Sequence, residues 1–98
     1  SYTAVFANQG TLYQPYLVKN ITDPNGEIIK KNNPAIIRQN FISKENLRIV
    51  AEGMRQTITS GSARSLGSLK IKVAGKTGTA QWAENNLPQA WFTGFAPY

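Results

Sequence analysis

The most regular pattern of hydrophobic and polar positions lies between residues 43 and 59. Ser43 is a residue type that caps helix N-termini, and Glu45 stands in the first turn, where a negative charge favours the helix dipole. Apolar residues then recur at the spacing of one helix face: Leu47, Val50, Ala51, Met54 and Ile58. The opposite face carries charge: Arg48, Glu52 and Arg55. The pattern predicts a helix over 43–59, stopped by Gly61, with its apolar stripe packed in a core.

The first 42 residues predict a short helix followed by extended segments. The helix ends at the stop signal of residues 8–10, and residues 11–21 are rich in β-forming side chains. Residues 23–26 (Asp-Pro-Asn-Gly) form a turn signal, and residues 27–30 (Glu-Ile-Ile-Lys) then run back as a second strand. We therefore expect a β-hairpin over 16–31 that forms an arm over another surface, and a connector over 32–42.

The last 39 residues predict a second hairpin. Residues 60–69 are rich in Ser and Gly and indicate a loop, and polar and apolar positions alternate from residue 70. We expect a strand over 70–81, a loop over 82–89 and a closing strand over 90–96 that pairs antiparallel to the first. Helices mixed with antiparallel strands define an α+β fold.

Composition excludes several kinds of chemistry. The chain has 98 residues, of which 41% are hydrophobic and 16% charged, which is too apolar for a disordered chain. It contains no His and no Cys, so it cannot hold a Ser-His-Asp triad, a zinc bound by either residue, or a disulfide. No metal or cofactor is implied. The helix at one end and the aromatic strand at the other predict a fragment of a larger domain; a small complete domain with abrupt ends is the alternative.

Residues 74–81 (Ala-Gly-Lys-Thr-Gly-Thr-Ala-Gln) carry the candidate chemistry. A phosphate-binding loop ending at residues 75–77 would need glycine at position 70, which is Lys70, and a helix afterwards. In an extended strand, Thr77 and Thr79 share one face and Lys76 the other, while glycines leave the backbone open. A cation, two hydroxyls and a bare backbone suit the anionic end of a peptide-like ligand. An ordinary strand with glycines at a bend remains the alternative.

The sequence over 76–81 (Lys-Thr-Gly-Thr-Ala-Gln) resembles the third active-site motif of penicillin-binding proteins and serine β-lactamases. Other segments resemble the same family in the same order: 6–10, 15–18, 23–26, 53–55, 61–64 and 91–97. The combination resembles class B penicillin-binding proteins, the monofunctional peptidoglycan D,D-transpeptidases, and the elongation type (penicillin-binding protein 2) most. The resemblance covers essentially the whole chain and implies a partial transpeptidase fold, similar to that of serine β-lactamases.

The resemblance also implies roles for individual residues. Thr79 would supply a backbone N–H of the oxyanion hole, and the Thr77 and Thr79 hydroxyls would bind the carboxylate of a D-Ala-D-Ala stem peptide or a β-lactam. Lys76 would stabilise that anion and hold the hydroxyl of the second motif, and Gly78 would let the substrate backbone approach. Gln81 and Trp82 would lie where the strand opens onto the acceptor side.

Two motifs of the family are missing. The family acylates a Ser in the sequence S-x-x-K, with the Lys as activating base, and uses a second motif S-x-N. None of the six serines has Lys three residues on, and S-x-N does not occur. We therefore expect residues 1–98 to be the C-terminal part of a transpeptidase domain, inactive alone. The resemblance further implies an extracytoplasmic, periplasmic location, an N-terminal membrane anchor outside this chain, and other cell-wall synthesis proteins as partners.

Three other functions compete with this interpretation. A non-catalytic β-lactam sensor or scaffold would share the fold, and a serine β-lactamase would share the motif. A nucleic-acid-binding module would fit the formal charge of +6, but the 11 basic residues are spread along the chain rather than clustered. We also expect strands 70–81 and 90–96 to expose unpaired edges through which the fragment self-associates.

Overall fold

The computed structural model describes residues 2–81, 83 and 87–98. Within these residues the chain forms two α-helices, one short 3-10 helix and six β-strands. In chain order the elements are α1 (Tyr2–Ala7), β1 (Thr11–Tyr13), β2 (Asn20–Thr22), β3 (Ile28–Lys31), β4 (Ile36–Gln39), α2 (Lys44–Thr59), the 3-10 helix (Arg64–Ser68), β5 (Ala74–Ala80) and β6 (Gln89–Phe95). The predicted α+β class is confirmed.

The described strands form three separate antiparallel pairs, β1–β4, β2–β3 and β5–β6. In the chain, β2 and β3 lie between β1 and β4, and in the β1–β4 pair Thr11 lies opposite Gln39. The predicted connector over 32–42 is therefore wrong, because Ile36–Gln39 is a strand. Its partner lies about 25 residues upstream, a separation that the local pattern does not encode. The β-rich segment 11–21 is interrupted at 14–19, where Pro15 cannot donate a ladder hydrogen bond, so the hairpin predicted over 16–31 begins only at Asn20.

The β2–β3 hairpin, which we call the arm (residues 20–31), matches the predicted turn. The Asp23 carboxylate accepts from the backbone N–H of Asn25 at 2.9 Å and of Glu27 at 2.8 Å. Gly26 has φ +88°, a left-handed conformation that favours glycine. Every residue of the two strands is exposed, so the arm contributes nothing to the core of the described chain.

Helix α2 follows the predicted boundaries. The Ser43 hydroxyl accepts from the Asn46 N–H at 3.2 Å, which is the expected N-cap contact. Its buried residues are Leu47, Met54 and Ile58. The buried stripe is narrower than predicted, because the side chain of Val50 is 44% exposed.

One side chain on the predicted polar face of α2 has a structural contact. The Arg55 guanidinium is partly buried and donates to the Val73 carbonyl at 2.8 Å. Arg55 therefore joins α2 to the segment leading into β5, whereas Arg48 forms only an exposed pair with Glu52 at 3.4 Å.

The core lies where α1, β1 and α2 meet. Val5, Leu12 and Leu47 form a buried cluster, with Phe6 and Ile42 partly buried against it. Gly10 ends the α1 region with φ +117°, and a Cβ at this position would lie 3.0 Å from Leu47 Cδ1. The predicted helix stop is thus confirmed.

The second hairpin is shorter at its start than predicted. Strand β5 begins at Ala74 rather than at residue 70, because nearby carbonyls are bonded outside the ladder: Lys72 accepts from Tyr98 N–H and Val73 accepts from Arg55. The segment 60–69, predicted as a loop, contains the 3-10 helix. Strands β5 and β6 pair antiparallel as predicted, with β6 beginning one residue earlier.

Candidate active site

The motif residues 76–79 lie on the outer half of β5. In the β5–β6 register, Lys76 lies opposite Thr93, Thr77 opposite Phe92, and Gly78 opposite Trp91. Because side chains alternate along a strand, Thr77 and Thr79 share one face and Lys76 lies on the other, as predicted. Thr77 is half-buried, whereas Lys76, Gly78 and Thr79 are exposed. The hairpin thus presents a cation and two hydroxyls at one end.

The two glycines of β5 differ in their surroundings. A Cβ added to Gly75 would lie 2.3 Å from Phe92 Cζ and 2.8 Å from the Thr93 carbonyl oxygen. At Gly78 the nearest atom to an added Cβ is Trp91 Cβ, at 3.8 Å. Gly75 therefore makes room for the Phe92 ring within the hairpin, whereas Gly78 leaves open space beside the strand.

The ammonium of Lys76 stays close to its own strand. Its Nζ donates to the Thr77 carbonyl at 2.6 Å. The side chain also lines an open cavity of about 510 Å³ between α1, α2 and β6, whose other walls include Met54, Thr57 and Thr93. The positive charge is thus held within reach of groups that approach β5.

Thr77 has a hydrogen-bond partner that the sequence analysis did not identify. Its Oγ1 lies 2.7 Å from Ser62 Oγ, and either hydroxyl could be the donor. Ser62 belongs to the Ser- and Gly-rich segment after α2, 15 residues away in the chain. The composition of that segment indicated a loop, but no signal in the sequence pairs a particular Ser with Thr77.

The two remaining predicted site residues lie beyond the strand. Gln81 is exposed and immediately follows β5. Trp82 lies outside the described residues. The structure therefore brings Lys76, Thr77, Gly78 and Thr79 together on one strand and leaves the acceptor-side assignment untested.

The residues that the structure describes contain no group of three or more His, Asp or Glu side chains that could hold a metal ion. No helix among them is long and apolar enough to cross a membrane. The hydroxyls, the ammonium and the strand backbone are the kinds of group that suit an anionic, extended peptide end.

Comparison with known proteins identifies the family. The family model described as penicillin binding protein transpeptidase domain matches residues 1–98. The chain therefore belongs to the transpeptidase domain family of penicillin-binding proteins, as the resemblance predicted.

Individual relatives agree with this assignment. Penicillin-binding protein 1A of Aquifex aeolicus is 38% identical over 94 residues, covering 96% of this chain and 12% of that protein. The D,D-transpeptidase domain of a peptidoglycan glycosyltransferase from Eggerthella lenta superposes with a TM-score of 0.82 at 35% identity, covering 97% of this chain and 22% of that one. Penicillin-binding protein A of M. tuberculosis, solved as an imipenem acyl-enzyme complex, gives a TM-score of 0.80 at 28% identity, covering 97% and 21%.

These matches leave part of the prediction open. The chain spans about one-eighth of the Aquifex relative and about one-fifth of the two solved chains. The relatives carry several different penicillin-binding protein names, so assignment to class B and to its elongation type stays a prediction.

Proposed function

We propose that this chain forms part of a peptidoglycan D,D-transpeptidase, which cross-links stem peptides through an acyl-enzyme and is acylated by β-lactams. Within that enzyme the chain, as the C-terminal part of the transpeptidase domain, supplies the substrate-binding strand β5. The observation that carries the proposal is the motif strand itself: hydroxyls, an ammonium and an open Gly78 lie together on a strand whose only partner among the described residues is β6.

The proposed ligand group is a carboxylate at the end of the stem peptide or on the β-lactam. Thr77 and Thr79 offer hydroxyl donors on one face of β5, and Lys76 supplies a positive charge from the other face of the same strand. Hydrogen bonds to an ionised acceptor are shorter and stronger than those between neutral groups. The ligand backbone would lie beside Gly78, where an added Cβ would meet only Trp91 Cβ within 4 Å.

The proposed oxyanion donor is the Thr79 N–H. In an antiparallel pair, the N–H and C=O of one residue face the same edge of the strand, and this edge alternates along the chain. The Thr77 carbonyl accepts from the Lys76 ammonium at 2.6 Å, which supports a Thr77 backbone that faces the strand edge away from β6. Two residues further on, the backbone N–H of Thr79 would face the same edge. A fixed N–H donor of this kind contributes about 3–4 kcal/mol to transition-state stabilisation.

The rest of the reaction belongs to groups outside this chain. The nucleophilic Ser and its Lys base, the S-x-N motif and the second oxyanion donor would come from other parts of the enzyme. Gln81 and Trp82 are proposed to face the acceptor stem peptide. An extracytoplasmic location, a membrane anchor and contacts with other cell-wall synthesis proteins belong to the same proposal.

Labelling of the full-length protein with a fluorescent penicillin tests the proposal. We expect a covalently labelled band that disappears after pre-treatment with unlabelled drug. Thr77→Val should slow labelling about tenfold or more, because it removes a hydroxyl bond to a charged group. The matched control is Thr22→Val, the same change on the exposed arm, which should label at the wild-type rate.

The labelling experiment also separates the competing functions. A folded full-length protein that takes no label contradicts an acylation site on β5. A labelled protein that fails to cross-link stem peptides in a turnover assay would instead be a β-lactam sensor. Steeply salt-dependent binding of DNA or RNA, without labelling, would favour the nucleic-acid function.

The isolated 98-residue chain provides a further test. Because none of its serines lies in S-x-x-K, we expect no acyl adduct after exposure to excess penicillin. Intact-mass spectrometry measures this directly. A stoichiometric adduct on the isolated chain would contradict the proposed division of the active site.

A further inference from the structure

We propose that Ser62 is a positioning residue for the Thr77 hydroxyl, and so for the carboxylate of the ligand. This inference rests on the proposed function of β5. It starts from the 2.7 Å contact between Ser62 Oγ and Thr77 Oγ1, the only hydrogen bond within the described residues that joins a site hydroxyl to a side chain outside β5.

Backbone hydrogen bonds join the residues on both sides of Ser62 to the end of α2. The N–H groups of Ser60 and Gly61 both donate to the Gln56 carbonyl, at 3.0 and 2.9 Å, and the Ala63 N–H donates to the Thr57 carbonyl at 3.0 Å. The residues that flank Ser62 are also confined. A Cβ on Gly61 would lie 2.8 Å from Thr57 Cα, and Ala63 is only 7% exposed. Ser62 is therefore presented to β5 from a fixed point.

The strand that carries Thr77 is joined to the same helix. Arg55, also on α2, donates to the Val73 carbonyl at 2.8 Å, just before β5 begins. Helix α2 thus fixes both the loop that carries Ser62 and the entry to the strand that carries Thr77. Both hydroxyls are therefore joined to the same helix, one through the loop that follows it and one through the segment that precedes β5.

Proton counting gives the contact a direction. Each hydroxyl has one proton and two acceptor lone pairs. When the Thr77 hydroxyl donates to a ligand carboxylate, it has no proton left for Ser62, so the Ser62 hydroxyl must donate to Thr77 Oγ1. The chain Ser62 O–H to Thr77 O–H to carboxylate then runs in one direction, and each bond polarises the next. Ser62 would turn the Thr77 proton toward the ligand without touching it.

Acylation rates of the full-length protein test this role. Ser62→Ala should lower the second-order rate of acylation by a carboxylate-bearing penicillin about three- to tenfold, the range for loss of one neutral hydrogen bond. Ser62→Thr, which keeps the hydroxyl, should restore the rate. Ser65→Ala, the same change in the 3-10 helix, is the matched control and should acylate like wild type.

A double-mutant cycle distinguishes positioning from direct contact. If Ser62 acts through Thr77, adding Ser62→Ala to Thr77→Val causes no further loss. A Ser62→Ala effect that persists in the Thr77→Val protein, or a Ser62→Ala protein that matches wild type, overturns the inference. If Ser62→Ala does not fold, as judged by its melting temperature, Ser62→Cys gives the same test with a weak S–H donor.

The two proposals fail in different ways. A wild-type protein that is not acylated contradicts the proposed function itself. A wild-type protein that is acylated normally, with no effect of the Ser62 variants, contradicts only the role of Ser62.

Discussion

At the scale of single residues, Gly75 and Gly78 lie three positions apart on β5 but serve different purposes. An added Cβ on Gly75 would meet the Phe92 ring at 2.3 Å and backbone oxygen at 2.8 Å, whereas Gly78 has open space on its side. One glycine permits the packing of the hairpin, and the other is proposed to permit the approach of a ligand. The sequence shows two identical residues, because the neighbours that distinguish them come from β6.

Alanine substitutions separate these two purposes. Gly75→Ala should destabilise the full-length protein by about 1–3 kcal/mol, the usual cost of overpacking. Gly78→Ala should leave stability near wild type but slow acylation by a penicillin, because the methyl group would occupy the ligand's space. Thermal unfolding and labelling rates measure the two effects. Equal stability losses in both variants would show that the open space at Gly78 is not real.

The site residues illustrate what a single sequence can reveal. The strand period correctly assigned Lys76 and Thr77 to opposite faces, because alternation is a local property of extended backbone. The Ser62–Thr77 hydrogen bond was not predicted, since it joins residues from two different elements. The contact of Arg55 with the Val73 carbonyl was missed for the same reason, because the two residues are 18 positions apart and the helix pattern showed only that Arg55 lies on the polar face.

At the scale of elements, α2 organises the chain. It contributes Leu47 to the core cluster, and it contacts both β5 and the 3-10 helix. Its boundaries were predictable because capping and a 3.6-residue period are both local signals. Strand β4 was missed because a four-residue strand has too short a pattern to stand out, and its partner β1 is distant in sequence.

Two arginines on α2 allow a test of how the helix holds β5. Arg55→Met should destabilise the full-length protein by about 1–2 kcal/mol, because it leaves the Val73 carbonyl without its charged donor. Arg48→Met is the matched control: its pair with Glu52 is exposed, so we expect a change within about 0.5 kcal/mol. Denaturant unfolding measures both. Similar losses in the two variants would contradict a clamp between α2 and β5.

At the scale of the whole molecule, the described fold is open. Its accessible surface is 7967 Å², against roughly 5,500 Å² expected for a folded monomer of this mass. Its radius of gyration is 17.9 Å, against about 13 Å for a typical domain of this length. Large apolar side chains on the second hairpin remain exposed, including Trp91 at 62% and Phe92 at 45%. These surfaces are suited to contact with more protein.

The openness leads to a prediction for the isolated chain. Unpaired strand edges and exposed aromatic faces favour pairing between copies, so we expect concentration-dependent association. Sedimentation velocity over a range of concentrations measures it. A single monomeric species at modest concentration would show that the exposed edges of β5 and β6 do not drive self-association.

The nesting of the arm inside the β1–β4 pair has an evolutionary consequence. Because Thr11 and Gln39 meet at its base, the intervening segment begins and ends at nearly the same place. Each doubling of a flexible segment closed in this way costs only about 0.6 kcal/mol in loop-closure entropy. Insertions and deletions can therefore accumulate in the arm while the spacing between α2 and β5 stays constant. Homologous proteins would be free to diversify in length here while β5 and its contacts with α2 stay in place.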